Sequence, residues 1–153
     1  MLPEIYHAIL LIHVLSAILG LGPGFVMIYV VTRAQTMTEL RHAYLIRNRL
    51  HVFVMVGGTL LLLTGLLMGF LNRYLLSQEW YVISLSLFLI ALAFGPLLLS
   101  PKSKPIKKLL QEHKSDIIPD EYYRLAKKLF FYERIENLIF IAIIILMILK
   151  PNF

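Results

Sequence analysis

Four long apolar stretches, separated by polar connections, dominate the hydrophobic pattern of this chain. They cover about residues 5–32, 51–71, 80–99 and 129–149. Each has about the ~20 residues that an α-helix needs to cross the ~30 Å hydrocarbon core of a bilayer. The pattern predicts an all-α fold, a four-helix transmembrane bundle in which residues 1–153 form a single integral membrane domain.

The two longer connections are predicted to lie outside the spans. Residues 33–50 mix apolar with charged side chains, which predicts a linker that forms a short amphipathic turn or helix on the lipid headgroups. Pro101 and Pro105 are expected to end the third helix, and residues 107–113 to form a short separate helix. Asp120 is expected to be the N-cap of the last helix, which then continues into the membrane.

Composition decides the class of protein. The chain is 59% hydrophobic and only 16% charged, and its mean hydropathy of +0.77 excludes a soluble domain of this length. Glu4 and the lack of a basic residue before the first apolar stretch predict that the first helix is retained and not cleaved as a signal peptide. The chain has no cysteine, which excludes disulfides, thiolate metal sites and thioether-linked haem.

Positive charge is concentrated in two connections. Of the 15 Lys and Arg residues, four lie in residues 33–50 and nine in residues 101–134. In a four-span protein these connections share one side, so the positive-inside rule predicts two basic cytoplasmic connections with both termini outside. The net charge of +6 is interpreted as attraction to anionic headgroups of the cell membrane and not as nucleic-acid binding. The chain is therefore predicted to be a multi-pass protein of the cell membrane.

Small residues at helical spacing predict where the helices approach most closely. Two glycines of the second span form a GxxxG motif, which serves packing inside the monomer or leaves a surface for a homo-oligomer. Pro23 is expected to kink the first helix and open a pocket, because proline removes a helical hydrogen bond. The small-residue stripes are Ser16, Gly20 and Gly24 in the first span and Gly58, Gly65 and Gly69 in the second.

Two histidines, His13 and His51, lie on the same helix faces as these small residues. Ionisable groups in a span usually face a bundle interior or a cofactor, and a neutral imidazole is a common ligand of metals and haem. His13 is therefore the candidate ligand of haem or a metal. The alternative is a neutral imidazole hydrogen-bonded to Ser16 or to a neighbouring backbone carbonyl.

Depth separates the two histidines. His13 lies ~12 Å into the first span, whereas His51 begins the second span at the inner side. One iron cannot easily take both, so haem on His13 needs an open coordination position or a partner from the outer half, namely Met68, Met147 or Lys150. His7, at the outer interface, is a supplementary candidate for the same cofactor site.

A second polar group marks the inner surface. Glu133, Glu136 and Asn137 share one face of the last helix, and buried carboxylates need partners. Basic residues at the start of the second span lie at the same predicted depth. The sequence predicts an ion-pair and hydrogen-bond cluster that acts either as a structural clasp or as a gate for protons or substrate. Its members are Arg47, Arg49, His51, Glu133, Glu136 and Asn137.

Four short motifs together resemble the DUF2269 family of small bacterial four-helix membrane proteins: residues 13–17 (HVLSA), 63–66 (LTGL), 123–126 (YRLA) and 147–151 (MILKP). The resemblance covers nearly the whole chain and implies a fold but almost no biochemistry. More distantly, the layout is similar to HemJ-type and copper-resistance D-type four-helix proteins, in which an early-helix histidine matters. Only His13 or His7 matches that feature, and the expected tryptophan-rich motifs are missing.

Two functional hypotheses follow. The first is a membrane protein that binds haem or porphyrin through His13 in the outer half of the bundle. The second is a non-enzymatic transporter, channel subunit or assembly factor whose polar residues are structural. No glycine-rich phosphate loop, nucleophile elbow or zinc helix is present, and the sequence does not distinguish an enzyme from a non-catalytic protein.

Overall fold

The computed structural model describes residues 2–151. Within this range every regular element is a helix, which confirms the all-α prediction. A 3₁₀ turn, Arg73–Ser77, follows the second helix, and a π-helical turn, Gly95–Leu99, joins the third helix to the fourth. The helices are α1 (Leu2–Thr32), α2 (Met37–Leu71), α3 (Glu79–Phe94), α4 (Ser100–Glu112) and α5 (Asp120–Leu149).

Three described helical segments are long and apolar enough to cross a membrane. They are Glu4–Thr32, Met37–Leu71 and Glu79–Glu112, the last comprising α3, the π turn and α4. Helix α5 differs because Glu133, Arg134 and Glu136 fall within one of its turns. The chain is thus an integral membrane protein by length and composition, and the fourth span over residues 129–149 stays a prediction.

Helix α2 begins at Met37, so residues 37–50 are helical, as one predicted alternative had it, but they continue the second span and are not a separate linker. Thr36 is the N-cap, and its hydroxyl accepts from the Glu39 N–H at 3.2 Å. The Glu39 carboxylate accepts in turn from the Gln35 N–H at 2.8 Å. This exchange satisfies backbone donors that a helix start leaves without partners, so α2 projects well beyond the apolar stretch.

The connection between α4 and α5 also holds the start of α2. The Asp116 carboxylate accepts from the Thr38 N–H at 2.9 Å and from the Thr38 hydroxyl at 2.7 Å, and the Asp116 carbonyl accepts from the Met37 N–H at 2.8 Å. These Thr38 hydrogen bonds to the charged form lower the pKa of the Asp116 carboxyl below its usual range. The loop is therefore tied to a helix that is distant in sequence.

The prolines of the third span do not end it, contrary to expectation. Pro101 lies in the first turn of α4 and Pro105 lies inside that helix. The π turn just before them loosens the helical register, and a proline in a first turn loses no helical hydrogen bond. The helix ends only at Glu112, where the Arg41 side chain donates to the carbonyls of Leu110 (2.9 Å) and His113.

Asp120 is the first residue of α5 and not its N-cap. Pro119 occupies the cap position with extended backbone, and no side chain caps the helix there. Proline suits this boundary because its ring disfavours helical backbone at the residue before it. Asp120 and Glu121 instead place negative charge in the first turn, where it is favoured by the helix dipole.

The molecule has two separate hydrophobic cores, which follow one another along the helices. One lies at the basic end, which we define as the end formed by residues 33–50 and 100–128. There Met37, Leu40 and Ile106 are fully buried, so the connections predicted as surface segments pack together. The second core lies among the apolar halves of the helices and comprises Leu21, Leu61, Phe88, Ala91, Phe140 and Ile143.

Helices α1 and α2 cross at glycines. A Cβ on Gly57 would overlap the Gly20 backbone, and a Cβ on Gly20 would lie 2.7 Å from the Gly58 nitrogen. The contact on α2 is thus centred on Gly57 and not on Gly58, where a Cβ would meet nothing within 4 Å. Such close backbone approach is how membrane helices gain packing energy.

The GxxxG motif of α2 is used inside the monomer. A Cβ on Gly65 would lie 3.3 Å from the His13 ring, and one on Gly69 would overlap the Tyr81 hydroxyl. The motif therefore makes room for two side chains of the same chain. Helix α1 packs along α2 and α3 packs along α5, while α5 contacts α1 less extensively. This arrangement leaves space between the two pairs.

Candidate functional site

A cavity of about 680 Å³ opens between the helix pairs at the terminal end, which we define as the end where α1 begins and α5 ends. Its volume lies within the range of roughly 300–1,000 Å³ that small-molecule sites occupy. Helices α1, α2, α3 and α5 all contribute to the wall, which is mostly aliphatic and aromatic. The polar side chains in the wall are Tyr6, His13, Trp80, Tyr81, Ser84 and Lys150.

His13 lines this cavity and is held by α2. Its Nδ1 lies 2.8 Å from the Thr64 hydroxyl oxygen, which itself lies 2.6 Å from the Leu60 carbonyl oxygen. A hydroxyl has one proton, and where Thr64 donates it to the Leu60 carbonyl, the Thr64 oxygen accepts from His13 Nδ1–H. In that tautomer the neutral ring has a lone pair on Nε2.

This arrangement is the one that ligating histidines adopt. A histidine that binds a metal through one nitrogen usually donates its other N–H to a fixed acceptor, which sets the tautomer and the ring orientation. The missing side chain of Gly65 lets the His13 ring lie against α2. The predicted alternative partner, Ser16, is wrong, because His13 Nδ1 bonds to Thr64 instead.

Ser84 is a site residue that the sequence reasoning missed. It is 0% exposed, it lines the cavity, and its hydroxyl has no hydrogen-bond partner among the described residues. Other hydroxyls in these helices donate to the carbonyl one turn back, as Thr59 and Ser86 do at 2.8 Å. A buried hydroxyl without a partner calls for an explanation. The feature of the sequence that could have identified Ser84 is its position as a serine in a mostly apolar stretch.

The structure brings three of the proposed partner ligands to the same cavity as His13. Met68, Met147 and Lys150 all line it. His7 is exposed and is not part of the described wall. His51 lies thirteen residues before Thr64 in α2, which corresponds to ~20 Å along the helix axis. The two histidines thus serve different regions, as their predicted depths required.

The inner polar cluster is assembled only in part. Arg47 forms an ion pair with Glu133, with Nη1 at 3.4 Å from Oε2 and a closer contact between Nη2 and Oε1. Asn137 donates to the Gly24 carbonyl at 3.3 Å and so bonds to α1 and not to α2. Arg49 and His51 are exposed. No hydrogen bond or ion pair found within residues 2–151 joins Arg49, His51 or Glu136 to the pair.

No group of three His, Asp or Glu side chains in the described range is placed to hold a metal ion. A site built from protein ligands alone would need such a group.

The comparisons agree with the sequence motifs. A family model described as "Predicted integral membrane protein (DUF2269)" matches residues 7–151, which confirms that resemblance. No curated protein matches the chain, and no solved structure matches it.

Proposed function

This chain belongs to the DUF2269 family of predicted integral membrane proteins, and we propose that it binds haem or a related porphyrin in the terminal-end cavity, with His13 as axial ligand. The observation that carries the proposal is the hydrogen bond from His13 Nδ1 to Thr64. With Nδ1–H donated to Thr64, a neutral imidazole has a bare Nε2 in the wall of an apolar cavity.

The residues present fit such a group. A porphyrin supplies its own ring nitrogens, so the protein has to add only axial ligands, and a cluster of three ligating side chains is not needed. An apolar wall suits a flat aromatic macrocycle. Met68 and Met147 both line the cavity, and either thioether is suited to be the second axial ligand.

Each neighbouring side chain has a defined task in this proposal. Thr64 orients the imidazole, and Gly65 provides the space for it. The Ser84 hydroxyl is available to donate to a polar group of the ligand. Leu21 and Phe88 close the inner end of the cavity and exclude water. Bound haem would supply one-electron transfer or the binding of a small diatomic ligand.

The proposal includes a position in the cell membrane. The apolar half of α5 packs along α3 and contributes Phe140 and Ile143 to the inner core, which supports a fourth span. Four spans place the two termini outside and the basic end in the cytoplasm, against anionic headgroups. The His13 cavity then opens in the outer half of the membrane.

A transporter, channel subunit or assembly factor is the alternative. Conduction needs a continuous polar path, whereas the buried side chains of Leu21, Leu61, Phe88 and Phe140 lie between the cavity and the Arg47–Glu133 pair. This apolar layer would have to open in every transport cycle. The observed packing therefore favours a binding cavity that is closed at its inner end over a path that conducts across the membrane.

Absorption spectra of the detergent-purified chain test the proposal. We expect a Soret band after haem reconstitution that shifts on reduction with dithionite, and we expect His13→Ala to abolish it. His42→Ala and His51→Ala are matched controls, because both side chains are exposed on the long basic-end part of α2, and both should keep the band. No Soret band in the wild type, or an unchanged band in a folded His13→Ala protein, would reject haem ligation and leave His13 a structural role.

A further inference from the structure

We infer that Lys150 and Trp80 form a carboxylate-binding end of the cavity, so that its ligand is an amphiphile with an apolar ring body and an acidic edge. This inference rests on the proposed function and specifies the chemical class of the ligand. Lys150 is the charged side chain in the described wall of the cavity. Its ammonium nitrogen lies 5.4 Å from the centroid of the Trp80 ring.

The Trp80 ring keeps the cation at the rim of the cavity. A cation over the face of an indole is held by the electron density of the ring and makes no hydrogen bond to it. The ammonium donors thus stay available while the position of the charge is restricted. A carboxylate that meets these donors forms a charge-assisted hydrogen bond, which is stronger than a neutral one.

The backbone at Lys150 indicates that the side chain matters. Lys150 ends α5 in the left-handed conformation, with φ 45° and ψ 53°, and its N–H donates to the Leu146 carbonyl at 2.9 Å. Glycine or asparagine usually fills this position because a Cβ is crowded there. The chain instead has a lysine, and the turn places its side chain over Trp80.

The polar groups in the wall have an order that fits one ligand shape. Lys150 lies over Trp80 at the rim, and Ser84 follows Trp80 by four residues, or ~6 Å deeper along α3. Aliphatic and aromatic side chains make up most of the remaining wall. A porphyrin with propionate groups on one edge matches this order, whereas an uncharged lipid-like ligand leaves Lys150 without a role.

Titration of the full-length chain with metal-free protoporphyrin IX and with its dimethyl ester separates charge from shape. We expect Lys150→Gln to weaken binding of the free acid about tenfold, as the loss of a charged hydrogen bond does, and to leave binding of the ester unchanged. Lys150→Arg should keep most of the affinity. Lys127→Gln, an exposed lysine near the other end of α5, is the matched control and should behave as the wild type.

The outcomes of this titration distinguish the two proposals. Equal binding of the free acid by Lys150→Gln and wild type overturns the carboxylate end, as does an equal loss for acid and ester. Metal-free porphyrin needs no axial ligand, so Lys150-dependent binding without a His13-dependent Soret band rejects haem ligation alone. No binding of either porphyrin by the wild type overturns the carboxylate end, while the haem spectra decide iron ligation by His13 separately. A thermal unfolding curve of Lys150→Gln verifies that the variant is folded.

Discussion

The Thr64 hydroxyl bonds to Nδ1 of His13, so Nε2 is the nitrogen available to a ligand. The same oxygen lies 2.6 Å from the Leu60 carbonyl oxygen and so links the backbone of α2 to a side chain on α1. The sequence placed His13 in an apolar span and, as the alternative to ligation, offered Ser16 or a backbone carbonyl as its partner. The true partner lies 51 residues away, and only the packing of α1 against α2 brings it near.

Thr64→Val tests this link at nearly constant volume. Valine cannot accept the Nδ1 proton, so the imidazole loses its fixed orientation, and we expect haem affinity to fall about 10- to 100-fold, as for other groups that orient a ligand. Thr64→Ser should keep the affinity. Thr59→Val is the control, because Thr59 makes the same backbone bond to Met55 on an exposed face. Soret titration gives the comparison, and equal affinities for Thr64→Val and Thr59→Val would contradict the assignment.

Glu133 and Glu136 are neighbouring carboxylates with different surroundings. Glu133 pairs with Arg47, and their side chains are only 10% and 12% exposed, whereas the described part of the chain gives Glu136 no ion pair. Removing one member of a buried pair leaves an uncompensated charge and costs about 3–5 kcal/mol. We expect Glu133→Gln to lower the free energy of unfolding by that amount and Glu136→Gln to have little effect. Reversible unfolding in mixed micelles measures both, and equal losses would show that the pair is not the source of stability.

The crossing of α1 and α2 depends on one glycine of an adjacent pair. We expect Gly57→Ala to destabilise the protein by about 1–3 kcal/mol, since the new methyl group would overlap the Gly20 backbone and overpacking has that cost. Gly58→Ala should be neutral or slightly stabilising, because its methyl group meets nothing within 4 Å and alanine is the better helix former. Thermal unfolding of the two variants in the same detergent compares their stabilities and tests this order. A reversed order would mean that α1 contacts a different face of α2.

The loop that joins α4 to α5 makes an acid-sensitive contact with the start of α2. The Thr38 donors lower the pKa of Asp116 below its usual value of 3.8, so the contact stabilises the fold above that value and is lost as pH falls through the lower, folded-state pKa. The protection factors of the Met37 and Thr38 amides, which donate to Asp116, should therefore stay constant near neutral pH and fall only below about pH 3.8. Asp116→Asn should remove this acid dependence. Glu112→Gln, which alters only an exposed pair with Lys108 at 3.9 Å, should keep it.

How far the helices could be predicted depends on where their partners lie. The apolar stretches gave the membrane segments, because lipid burial imposes hydrophobicity directly on the sequence. The start of α2 was missed although Thr36-x-x-Glu39 is a capping-box signature. The amphipathic face that follows it was interpreted as lipid-facing, since its partners on α4 and α5 are remote in sequence. A pocket was expected beside Pro23 in the first helix, but its position between two helix pairs was not, because that depends on how the pairs pack.

At the scale of the whole molecule, the orientation in the membrane decides what reaches the cavity. The cavity and the basic end lie at opposite ends of the helices, so the proposed orientation, which follows the positive-inside rule, has the cavity in the outer leaflet. Whether both ends of the chain reach the same side of the membrane depends on α5, because only a fourth span returns the C-terminus to the side of the N-terminus. Three spans would leave Lys150 and the start of α1 on opposite sides, although both ends contribute to one cavity wall.

The cysteine-free chain allows a direct test of this orientation. Ser77→Cys lies in the exposed turn before α3, and Ser115→Cys lies in the exposed loop before α5. We expect a membrane-impermeant maleimide to label Ser77→Cys in intact cells and to label Ser115→Cys only after permeabilisation. A reporter fused to the C-terminus should then be active outside the cytoplasm, because α5 crosses the membrane. A cytoplasmic reporter together with the expected cysteine pattern would show that α5 does not span, and Lys150 could then not face a ligand from the outer leaflet.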